Sequence, residues 1–182
     1  MREQMSVLNL VRDAAKTFPP IAEPMAVKSA RIWYCKYSSC ASLGACLNLE
    51  ELVIAGLPDE NLDFLRPLQK LKILFILHMP KITSVSPVSG LENLETLSLA
   101  TSPSWDAGGK RTVIDSLAPI ARLPYLKHLE LFGVVPEDRS LAPLSGAPAL
   151  LTAIFSAFPK GELERFYAGG VMQAHAPCPS FS

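Results

Sequence analysis

One spacing of apolar residues recurs along most of the chain. Leu49, Leu52 and Ile54 stand as L-x-x-L-x-I, and the same pattern returns at Leu71, Leu74, Ile76, at Leu94, Leu97, Leu99 and at Leu126, Leu129, Leu131. Weaker copies begin at Val27 (with Ala30 and Ile32) and at Leu150 (with Ala153 and Phe155), giving five to six copies at intervals of 22, 22, 23, 32 and 24 residues. The long interval holds an insertion at 101–112. Alternation within each copy predicts a short β-strand. Beyond it, apolar residues fall at every third position, as in Leu62, Leu65, Leu68 or Ile114, Leu117, Ile120, Leu123. That spacing predicts 3₁₀ or irregular turns, because the apolar face of an α-helix drifts between steps of three and four. Prolines at 67, 87, 119 and 143 fall inside these runs and argue against regular helix there.

A strand-plus-turn unit cannot bury its own apolar face, so copies must stack and cover one another. The segments ITSVSPVSGLENLETLSL, IDSLAPIARLPYLKHLEL and RSLAPLSGAPAL resemble the short leucine-rich repeats, of about 22 residues, of bacterial internalins and of a phosphatase regulatory subunit. The resemblance spans residues 27–158. It implies an α/β fold, a right-handed leucine-rich repeat solenoid with a concave parallel β-sheet and a convex side of 3₁₀ or irregular turns. The chain departs from that class eight residues after each repeat start, where an asparagine ladder is usual. Cys35, Leu57, Met79, Ser102 and Val134 stand there instead, so these turns must close in another way. The open ends of a stack need covers. Within residues 1–26, the amphipathic stretch Ser6–Phe18, with Val7, Leu8, Leu10, Val11 and Ala14, predicts an N-terminal capping helix. Within 159–182, Glu162–Tyr167 predicts a second cap, and the tail from Gly169 reads as loose.

Strand alternation then assigns a surface. Positions three and five after each start point inward, so positions two, four and six face out on the concave side. They carry Arg31, Trp33, Glu51, Val53, Ile73, Phe75, Leu77, His128, Glu130 and Phe132. An apolar strip of Val53, Ile73, Phe75 and Leu77, edged by Trp33 and Phe132 and flanked by charges, is the composition of a protein interface. The competing reading is that the inserted loop or a terminus of the chain itself covers the strip. The insertion, rich in proline and glycine, predicts an exposed, bent loop on which Trp105 is a further contact candidate. Its GGKRT sequence does not make a phosphate loop, since Ser104 and Arg111 stand where that motif needs glycine and Ser/Thr.

Composition narrows the function further. Apolar residues make up 49% and charged residues 19%, enough for a packed single core. Lys plus Arg (17) balances Asp plus Glu (17), so no net field recruits nucleic acid or an anionic membrane. Cys35, Cys40 and Cys46 occupy the offsets that Leu57, Leu62 and Leu68 hold in the next copy, which marks them as core and not as a metal site. His128 and Glu130 share a strand face, but no serine or cysteine nucleophile falls at a predictable place beside them. No cofactor is implied. The sequence therefore reads as a non-catalytic scaffold binding a protein partner on the concave sheet, of bacterial toxin-immunity or effector type. The alternatives are a recognition or regulatory part of an enzyme system, of ubiquitin ligase or phosphatase type, and a self-associating structural protein. With charges throughout the first 16 residues and no obvious partner for Cys178, the expected location is the cytoplasm.

Overall fold

The computed structural model describes residues 6–181. Ten strands follow one another among the described residues: β1 (Ser6–Val11), β2 (Val27–Trp33), β3 (Glu51–Ala55), β4 (Ile73–Leu77), β5 (Thr96–Ala100), β6 (Thr112–Ile114), β7 (His128–Phe132), β8 (Val134–Pro136), β9 (Thr152–Phe155) and β10 (Met172–Gln173). Eight of them form one parallel sheet in the order β1-β2-β3-β4-β5-β7-β9-β10, while β6 and β8 pair in a small parallel sheet of their own. Each large-sheet strand supplies one rung of a coil.

The register explains the repeat. Leu52 pairs with Leu74, Leu74 with Leu97, Leu97 with Leu129, and Leu129 with Ala153. All five are fully buried, forming one interior column. Burying a leucine completely contributes about 1.5–3 kcal/mol, so the column is a principal source of stability. The convex side is built of 3₁₀ turns at Ala41–Ala45, Asp63–Leu65, Ser86–Gly90 and Ala142–Gly146, with a one-turn helix, α2 (Ala118–Ala121), in the fourth coil. Each turn drops an apolar side chain into the core, Leu43, Leu65, Val88, Leu144 and, from α2, Ile120, and two of the turns bury a second, Phe64 and Pro87.

Rungs close without an asparagine ladder. Seven residues after the repeat start, Tyr34, Gly56, His78, Gly133 and Ala157 all adopt left-handed backbone, with φ between 50° and 80°. This bend aims the following side chain inward, and Leu57, Met79 and Val134 lie buried where the ladder would stand. Backbone groups are satisfied from rung to rung instead: Tyr34 N–H donates to Ala55 O (2.9 Å), Gly56 to Leu77 O (2.8 Å), His78 to Ala100 O (2.7 Å) and Thr101 to Phe132 O (2.8 Å).

Two end regions differ from expectation. Ser6–Val11 is a strand and not a capping helix. Leu8 and Leu10 pack on the core while Val7 and Val11 are exposed, a period of two and not of 3.6. The open edge of β2 rewards this, since β1 pairs along its whole length and Arg12 N–H adds a bond to Trp33 O at 2.8 Å. At the other end, α3 (Lys160–Tyr167) inserts Phe166 against Phe155, and the Tyr167 hydroxyl donates to Ala153 O at 3.0 Å. The tail beyond it is docked and not loose. It adds β10 beside β9 and then turns back over the sheet. The insertion forms α1 (Pro103–Ala107) and leads into β6, where Thr112 N–H donates to Gly133 O at 2.9 Å.

Candidate functional site: the concave sheet face

Three neighbouring columns of side chains line the concave face, set by the same register that builds the core. Glu51 pairs across to Ile73 in one column, Arg31 to Val53 and Val53 to Phe75 in the next, and Ala55 to Leu77 and Ala100 to Phe132 in the third. The expected residues do share one surface. Its apolar members Ile73, Phe75, Leu77, Trp33 and Phe132 are half-buried, and Val53 is buried. The Arg31 guanidinium carbon lies 4.7 Å from the centre of the Trp33 ring, which fixes the indole at the N-terminal edge of the strip.

Two carboxylates on this face are nearly removed from solvent: Glu51 and Glu130 are each only 6% exposed. Each takes a hydroxyl donor from the sheet. Ser29 donates to Glu51 at 3.3 Å, and Ser98 to Glu130 at 2.7 Å. Their remaining partners come from the tail. Glu130 Oε1 accepts the Ala176 backbone N–H at 3.0 Å and stands 3.0 Å from the His175 Nδ1. Glu51 Oε1 accepts the Ser180 backbone N–H at 2.6 Å, and its Oε2 accepts the Ser180 hydroxyl. His175 also leans on Phe132, with ring centres 6.0 Å apart. Further along, Cys178, Pro179 and Phe181 close a cleft of about 250 Å³ with Arg31, Trp33, Val53 and Phe75. The chain's own tail therefore lies over part of the apolar strip, while a further cleft lined by Phe75, Leu77 and Ala100 has no tail residue in its lining. These tail residues were not legible as site residues. The one signal was the alternation Ala176-Pro177-Cys178-Pro179, in which each proline holds itself and its predecessor extended.

Two other candidates are placed differently. His128 does not bond Glu130; its Nδ1 lies 2.8 Å from the Thr152 hydroxyl, and burial, with Lys127 adding to it, lowers its pKa. Trp105 leaves the concave strip altogether. It packs edge-on against His78 at 5.1 Å between ring centres, with Lys110 Nζ 5.7 Å from its own ring centre. Burial holds the His78 pKa down as well. The cysteines lie where the repeat offsets put them. Cys40 and Cys46 are buried, burial together with the Asp59 carboxylate pushes the Cys40 thiol up to about 12, and Cys35 donates its thiol hydrogen to Leu10 O at 3.4 Å. Among the described residues, no His, Cys, Asp and Glu side chains gather in threes to hold a metal ion, and no helix is long and apolar enough to cross a membrane.

No protein-family model matches the chain, and no curated protein matches it in sequence. Solved structures do. An internalin C2 of Listeria monocytogenes superposes with a TM-score of 0.50 at 19% identity, covering 72% of this chain and 53% of the internalin. A second internalin of the same organism gives a TM-score of 0.50 at 18% identity, over 84% of this chain and 48% of its own. The chain thus spans about half the length of the structures it matches. With the eight-stranded parallel sheet and its stacked apolar column, this likeness establishes the fold as a leucine-rich repeat solenoid.

Proposed function

We propose that this chain is a non-catalytic interaction scaffold that grips a protein partner on its concave sheet. The observation that carries the proposal is the strip of Trp33, Phe75, Leu77 and Phe132, flanked by the two withdrawn carboxylates. A sheet face of aromatic and aliphatic side chains with a few desolvated charges is the composition of binding hot spots. Each carboxylate already accepts several donors and His128 is tied to Thr152, which supports a binding role for these groups. We place the protein in the cytoplasm, in keeping with four free thiols.

The test is capture of partners from the native source by wild type, by Phe75→Glu and by Leu77→Glu. Both variants are expected to lose the captured protein while keeping the wild-type circular dichroism spectrum. Undiminished capture by folded variants would discard the concave site. Toxin inhibition and effector-type capture of a host protein are both forms of this activity, and mass spectrometry of the captured protein separates them.

A further inference from the structure

We infer that the groove across the concave sheet is a binding site for an extended, proline-bearing peptide segment, and that residues 174–181 occupy it as an intramolecular ligand which the partner's segment displaces. This deepens the proposed function, resting on the concave face being the partner surface.

The geometry of the tail carries the inference. From Ala176, bonded to Glu130 on β7, to Ser180, bonded to Glu51 on β3, the tail crosses β5 and β4. Three strand spacings amount to about 14 Å. Four residues reach about 13–14 Å when fully extended. The segment between the two carboxylates therefore has no slack and runs extended across the strands, not along them. Pro177 and Pro179 hold it in that form before it docks, which lowers the ordering cost, as in recognition of proline-rich segments by aromatic-lined grooves.

The recognition is addressed to the backbone. Each carboxylate is oriented by a serine at the paired position of the neighbouring strand, Ser29 or Ser98, and presents an oxygen to one main-chain N–H of the tail. Any peptide with free N–H groups four residues apart, no bulk at the first and an aromatic just after the second satisfies the same main-chain contacts, to which the His175 ring and the Ser180 hydroxyl each add one from a side chain. Around the second anchor, Pro179 and Phe181 line one cleft together with Trp33 and Phe75. The ligand class follows: an extended segment of the form A-P-x-P-S-F, or a sequence presenting the same donors and rings. The tail is held by a few polar contacts and one open cleft, so an equivalent segment in trans makes the same contacts and can displace it. A tethered ligand suppresses weak competitors through its high effective concentration, so the groove admits only partners with additional contacts.

The test separates the tail from the groove. Substituting Ala176→Pro and Ser180→Pro together in the full chain deletes both N–H donors and leaves every sheet residue unchanged. A fluorescent peptide of residues 171–182 is titrated by anisotropy into wild type and into this double variant. The variant is expected to bind the peptide about tenfold or more tightly than wild type, whose groove is filled in cis. Its tail is expected to become sensitive to limited proteolysis, and a peptide carrying both prolines is expected not to bind. Equal binding to the two proteins overturns the inference, as does failure of the folded variant to bind. A tail that stays protease-resistant in the variant overturns it too, because the two carboxylate contacts would then not be what holds it. A negative peptide result alongside Phe75-dependent partner capture refutes the intramolecular ligand alone; loss of Phe75 dependence refutes the concave site itself.

Discussion

Ser180 gives Glu51 both its backbone N–H and its hydroxyl, across 129 residues of chain. This contact joins the tail to β3, and its counterpart between Ala176 and Glu130 joins it to β7, so the concave face and the tail are tied at two points. A double-mutant cycle of Glu51→Gln with Ser180→Ala isolates the hydroxyl's share. A coupling of about 0.5–1.5 kcal/mol is expected from denaturant unfolding. Additive effects would mean the hydroxyl does not meet the carboxylate in solution.

Leu74 sits at the middle of the interior column and is fully buried, whereas Leu151, just before β9, is 54% exposed. Leu74→Ala is expected to cost about 2–5 kcal/mol. Leu151→Ala is expected to change stability by no more than about 0.5 kcal/mol. Urea unfolding of both variants checks the contrast, and similar costs would contradict the stacked register.

Gly133 has φ of 65°, and a Cβ there would meet Thr101 Cγ2 at 3.1 Å and its Oγ1 more closely still. Gly133→Ala is therefore expected to lose about 2 kcal/mol or more, adding a steric clash to the left-handed backbone penalty. Gly146, at the end of a 3₁₀ turn, has open space and no such backbone, so Gly146→Ala is expected to be neutral or to gain up to about 1 kcal/mol. Thermal unfolding of the pair measures the difference.

Thiol reactivity should follow position in the coil. Cys178 is exposed in the tail, Cys35 is half-buried, and Cys40 and Cys46 are buried, the Cys40 thiol with its pKa pushed up to about 12. At pH 8 a thiolate-selective reagent is expected to label Cys178 first and to leave Cys40 and Cys46 untouched until denaturant is added. Mass-spectrometric mapping of labelled peptides reads the order, and early labelling of Cys40 would contradict its burial.

Acid should weaken the fold through two imidazoles. His78 and His128 both have pKa values lowered by burial below the ordinary value of 6.5. The unfolded chain thus takes up these protons first, so stability is complete above the unfolded value. It is lost as pH falls through 6.5 towards the folded values. The free energy of unfolding is expected to fall between pH 7.5 and pH 5.5, and His78→Gln or His128→Gln should each flatten that slope. An unchanged slope in both variants would remove the histidines from the account.

The candidate face was legible because a parallel register propagates. Once Leu52, Leu74, Leu97 and Leu129 are aligned, alternation alone puts Phe75 beside Val53 and Glu130 beside Ser98. The same rule failed for Ser6–Val11, where Val7, Leu8, Leu10 and Val11 fit both a helical stripe and a strand. An unpaired β2 edge, which no local window contains, selected the strand. Trp105 was likewise indeterminate, since its partner His78 lies in an earlier coil.

The coil can be read from the order of residues alone: its period, its interior column, its turns and the row of side chains along the concave sheet. Burial of apolar surface fixes these, and apolar residues at regular spacing are written directly in the chain. That residues 174–181 lie across that row emerges from the folded chain and not from any local pattern. The contacts holding them are main-chain N–H groups meeting carboxylates more than forty residues away. Every residue except proline owns such a donor, so nothing in the sequence marks which ones will find a partner.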